Sequence, residues 1–132
     1  MPFEPVEIPV SPGELIDRLT ILQIKTERIT DPGRNDRVKK ERQRYEEVRE
    51  RRVPHSEEIG QLTLELKQTN EKLWDIEDRI RIAEKDQLFD KTFIGLARSV
   101  YKTNDRRAAL KRQIDSLLNS VLAEEKEYVD YE

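Results

Sequence analysis

Cysteine is missing from these 132 residues, and histidine occurs once, as His55. Disulfides, thiolate chemistry and an ordinary zinc site are therefore excluded, because such sites draw their ligands from Cys and His. Oxygen-ligated magnesium or calcium is the metal chemistry left open. Long apolar runs are missing too: nothing approaches the ~20 residues that cross a bilayer. Residues Met1 to Val10 show no basic stretch followed by an apolar one, so the expectation is a soluble, cytoplasmic chain with no membrane association. Nor is there a surplus of one charge. Twenty-five basic and 28 acidic residues leave a net −3 and are interspersed along the chain. No basic field exists to displace counterions from a phosphate backbone, which argues against nucleic acid as a partner.

What is present is charge in bulk, 40% of residues, against 35% apolar. That balance suits one helical domain over 1–132 with an elongated core and wide solvated faces. Two apolar ladders carry the prediction. Ile59, Leu62, Leu66, Thr69, Leu73, Ile76, Ile80 and Ala83 form the first; Phe93, Leu96, Val100, Thr103, Arg107, Leu110, Ile114, Leu117 and Val121 form the second. Both alternate steps of three and four, the rhythm of a helix packed lengthwise on another. The stretch Glu84 to Thr92 has room only for a tight turn, so the two helices fold back antiparallel. Pairing Ala83 with Phe93 then makes every layer apolar except those of Thr69, Thr103 and Arg107. A polar seam position costs stability unless hydrogen bonds or a specificity role offset it.

Around this hairpin, predicted over about 56–86 and 90–126, the remaining elements follow from local chemistry. Pro2, Pro5 and Pro9 forbid helix and make residues 1–10 an extended arm carrying Phe3, Val6, Ile8 and Val10. Ser11, Pro12 and Glu14 read as cap, first turn and capping box of a helix over about 12–29. Its apolar residues cover more than one stripe, so it is buried on two sides. Asp31, Pro32 and Gly33 make a turn. A second helix, about 34–52, has only Val38, Tyr45 and Val48 as a thin stripe and lies at the periphery. Ser56 and Asp90 cap the hairpin helices.

One flank of the hairpin carries Asn70, Trp74 and Glu77 opposite Tyr101, Asn104, Ala108 and Lys111, and the first helix is expected to dock there. The candidate ligand-binding residues are Asp17, Asn70, Glu77, Tyr101, Asn104, Arg107 and Lys111. Side chains lean toward their own helix N-terminus, so Arg107 is expected to reach Glu77, relayed by Asn104 or Asn70. Two uses are open. A buried ion pair fixes register and helix order; a pocket would hold an anionic small molecule through the planar guanidinium. The row Glu71, Asp75, Asp78 resembles the acidic helices with which all-helical nucleotide pyrophosphohydrolases hold magnesium, but it faces away from the seam beside Arg79 and Arg81, as a solvated face does. His55 reads as an exposed turn residue and Trp74 as packing beneath the first helix.

The strings Ser11–Asp17 (SPGELID), Thr20–Lys25 (TILQIK), Leu73–Asp78 (LWDIED) and Ala97–Lys111 (ARSVYKTNDRRAALK) resemble those of a small bacterial family of unassigned function, over nearly the whole chain. The resemblance implies an all-helical bacterial domain and no mechanism. The resulting expectation is an all-α, noncatalytic, self-associating scaffold or adaptor, a homodimer with a protein partner and no cofactor. The alternative is a small anionic-ligand binding protein or a magnesium-dependent hydrolase using the polar cluster between helices one, three and four.

Overall fold

The structure is a computed structural model describing residues 2–132. Four helices follow in order: α1 Pro12–Arg28, α2 Pro32–Arg52, α3 Glu57–Lys85 and α4 Lys91–Leu117. Each begins at a side-chain cap that satisfies an otherwise orphaned amide: Ser11 accepts from Glu14, Asp31 from Arg34, Ser56 from Ile59 and Asp90 from Phe93. Asp31 is thus a cap rather than only a turn residue, and α2 starts at Pro32, two residues before its expected position. The capping box at α1 is half formed. Ser11 receives the Glu14 amide at 3.1 Å, but the Glu14 carboxylate turns to Arg18 and Lys111.

Helices α3 and α4 form the antiparallel hairpin, α1 packs on both, and α2 packs on α1. Helix α1 accordingly buries Leu15, Leu19 and Leu22 as well as Ile16, Asp17, Thr20 and Ile24. The main core joins Leu15 and Ile16 to Val53, Ile59, Leu66, Leu110 and Ile114, with Tyr45 and Val48 of α2 against its edge. No residue inside α2 is itself buried, as its thin stripe implies.

Helix α4 ends at Leu117, not at about Lys126 as the ladder suggested. Asn119 takes a left-handed φ of 50°, while the Ser120 amide donates to Asp115 and the Asn119 amide to Ser116, a Schellman-type stop. Val121, expected in the seam, is fully exposed. The chain then doubles back: the Glu124 amide meets Asp115 at 3.3 Å, and the Tyr131 hydroxyl donates to Asp105 at 2.9 Å.

Length sets the remaining feature of the shape. Seventeen residues of α1 span about 26 Å and 29 residues of α3 about 44 Å. With α1 seated toward the open end, the closed end of the hairpin has no third helix over it. Ile82, Leu88, Phe89 and Ile94 there are each more than half exposed.

Candidate functional site

Arg107, Lys111 and Asp115 recur every four residues, so they share the face of α4 that meets α1. Running antiparallel to α4, α1 answers each in turn. Asp17 takes Arg107 in a two-pronged contact, Nε to Oδ1 at 2.9 Å and Nη2 to Oδ2 at 2.5 Å. Glu14 pairs with the Lys111 ammonium at 2.5 Å, and Glu124 of the returning tail takes the same ammonium at 3.0 Å. At the third level the Gly13 amide donates to Asp115 Oδ1 at 2.7 Å. The result is a three-rung polar ladder holding the first turns of α1 to α4.

The ladder needs Gly13 for space. A Cβ there would stand 2.5 Å from the Lys111 carbonyl oxygen and 2.9 Å from Asp115 Oδ1. Its φ is not positive, so close approach and not backbone conformation requires glycine.

Burial makes the rungs electrostatically tight. Asp17 has no exposed surface, and Asn70 adds a hydrogen bond to its Oδ1 at 2.9 Å while donating to Thr20 Oγ1 at 3.0 Å. The hydrogen bond to Asp17 raises the Arg107 pKa, against the opposing effect of burial. For Lys111, burial favours the neutral amine, but hydrogen bonds to Glu14 and Glu124 outweigh it and the pKa rises. Burial likewise pushes Glu14 up, and hydrogen bonds from Lys111 and Arg18 bring it below the usual carboxylate value. Among the described residues no buried side-chain nitrogen or oxygen lacks a partner.

The structure therefore distributes the seven candidates differently from the sequence reading. Arg107 pairs with Asp17, not Glu77, because Asp17 is the carboxylate denied water. Glu77 is partly exposed and bonds Arg81 one turn along α3 at 3.0 Å. Asn70 joins the rung, but neither it nor Asn104 bridges Arg107 to Glu77. Lys111 lies one turn beyond, on Glu14 and Glu124. Tyr101 is outside the cluster, edge-on to Tyr131. Asp75 pairs with Arg28 at 2.6 Å on the surface, Trp74 is half-buried beneath that same arginine, and exposed His55 meets Glu50. Among the described residues, no three His, Cys, Asp or Glu side chains stand together as a metal site.

Sequence reasoning missed Gly13, Glu14, Asp115 and Glu124 as members. The 107, 111, 115 spacing was a usable signal, and so was a glycine in the first turn of a helix. Glu124 carries none, because the apolar rhythm predicts a helix running through it.

Beside the Arg107 rung lies a cleft of about 250 Å³ lined by Ile21, Ile24, Asn70, Leu73, Trp74, Glu77, Asn104 and Arg107. Four of the seven candidates line it. A second cleft of about 390 Å³, between α4 and the returning tail, shares Asn104 with the first and is lined by Tyr101, Tyr128 and Tyr131 among others.

Among the described residues, four helices and no strand make an all-α domain, with Arg107 and Lys111 already paired to Asp17, Glu14 and Glu124. Over residues 6–131 the chain matches the model of a family of unknown function (DUF6165), and it belongs to that family. No match is found among curated proteins or solved structures. Among the described residues, no helix is long and apolar enough to cross a membrane.

Proposed function

We propose that this protein is a noncatalytic helical module that self-associates and works as a scaffold or adaptor in the cytoplasm. The observation that carries the reading is the uncovered end of the hairpin, where Ile82, Leu88, Phe89 and Ile94 expose apolar surface that a third helix covers elsewhere. The ladder points the same way by elimination: its cations already hold carboxylates, and Asp17 has no oxygen free to act as base or ligand. Sedimentation velocity across a wide concentration range tests the proposal. A dimer that becomes monomeric in the Phe89→Glu, Ile94→Glu variant supports it, and a monomer at every concentration overturns it.

A second reading, binding of a small polar molecule in the cleft beside Trp74, is favoured by one observation. Both Asn70 donor bonds go to Asp17 and Thr20, and among the described residues no donor meets its carbonyl oxygen or engages the Asn104 amide beside it, both side chains lining the cleft. Native mass spectrometry decides this reading. A stoichiometric adduct that Asn104→Ala removes supports it; bare protein from fresh preparations overturns it.

A further inference from the structure

We infer that the occupant of the uncovered hairpin end is the N-terminal arm of a second copy of this chain, and this rests on the self-association proposed above. The arm, residues 2–10, forms no helix or strand and is exposed along its length, with Phe3 fully exposed, Val6 nearly so and Ile8 largely so. Its prolines hold it straight before it meets anything, which lowers the entropy lost on docking. The groove at the closed end of the hairpin has an apolar floor of Ile82, Ala83, Leu88, Phe93 and Leu96, with Arg79, Asp86 and Asp90 also in its lining.

Reach keeps the chain's own arm from seating all three of its apolar side chains, because Val6 and Ile8 fall short of the groove. The arm leaves α1 at Ser11, next to Gly13, which is held at the level of Lys111 and Asp115. Ile94, on the uncovered end of α4, lies about 26 Å or more up the helix from that level at 1.5 Å per residue. Val6 stands five residues before Ser11 and extends about 17 Å from it at most. A partner turned end for end removes the difficulty, since a two-fold axis across the hairpins sets each copy's open end beside the other's closed end. Both arms then dock in one closed, isologous arrangement.

Area agrees with that occupant. Covering Phe3, Val6 and Ile8 removes on the order of 400 Å² from the arm and about as much from the groove, and two such contacts approach roughly 1,600 Å², the size of a stable interface.

The absence of native cysteine makes the test direct. Val6→Cys and Ile94→Cys are introduced into separate chains, the chains are mixed at concentrations where sedimentation reports association, and a mild oxidant is added. A mixed disulfide joining one chain of each kind is the expected product, and it can form only between copies. Deleting residues 2–9 is expected to weaken self-association at least tenfold, with helix content by circular dichroism unchanged. A dimer that persists after the deletion and yields no mixed disulfide overturns the arm as occupant while self-association stands. A full-length chain that stays monomeric overturns both.

Discussion

Replacing Gly13 with alanine sets two physical effects of opposite sign against each other. On intrinsic propensity alone, alanine in a helix improves on glycine by up to about 1 kcal/mol. The packing of α1 on α4 reverses that gain. The added methyl would stand 2.5 Å from the Lys111 carbonyl oxygen and 3.1 Å from its carbonyl carbon, which are backbone atoms that cannot swing aside. Helix α1 must therefore back away from α4. Such overpacking costs about 1–3 kcal/mol, and the retreat stretches the 2.7 Å bond from the Gly13 amide to the buried Asp115 carboxylate, of a type worth about 1.5–3 kcal/mol. The net expectation is a loss of about 2–4 kcal/mol, which lowers the melting temperature by roughly 5–15 °C in a chain of this size. Urea unfolding followed by circular dichroism measures it. Gly60→Ala and Gly95→Ala are the internal controls: both glycines lie inside helices, and a Cβ at either meets nothing within 4 Å. Each should gain about 0.5–1 kcal/mol. If Gly13→Ala is as stable as wild type while the controls gain, α1 does not approach α4 as described and the ladder is wrong.

Arg107→Leu leaves the fully buried Asp17 carboxylate without its counter-ion and should cost about 3–5 kcal/mol. Glu77→Ala, which removes only an exposed partner of Arg81, should stay within about 0.5 kcal/mol; a comparable loss in the two variants by denaturant melts would restore the Arg107–Glu77 pair. The stability profile against pH should have a plateau with two shoulders that depend on Lys111. In the folded chain Glu14 titrates below its ordinary 4.5, so its contribution is present above that value and is lost as pH falls through the lowered one. Lys111 titrates above its ordinary 10.5, so its contribution is present below that value and disappears as pH rises through the raised one. Lys111→Met should flatten the alkaline shoulder and shrink the acid one, and melting curves that run parallel to wild type at every pH would contradict the pairing.

The two ladders of the hairpin were legible because a seam is written in one strand of sequence at a time: Ile59, Leu66, Ile76, Leu96, Leu110 and Ile114 recur with the helical period and are buried. Where the structure departs, a second chain segment decides. The end of α4 depends on Asn119, one of few residue types that enter the left-handed region cheaply, and on a tail that returns to bond Asp115 and Lys111; the apolar rhythm through Val121 carries no trace of either. The partner of Arg107 depends on how α1 is rotated about its axis. Because α1 is apolar on two faces, its periodicity does not say whether Asp17 points at α2, at the hairpin or at water. The lean of a helical side chain toward its own N-terminus makes Glu77 the nearer carboxylate, but proximity across the hairpin is the weaker criterion. Glu77 keeps contact with water and loses little without Arg107, whereas an unpaired charge at Asp17 would carry the full cost of desolvation. Between two carboxylates within reach of one arginine, the cation goes to the one that water cannot serve, and that choice also fixes α1 lengthwise against α4.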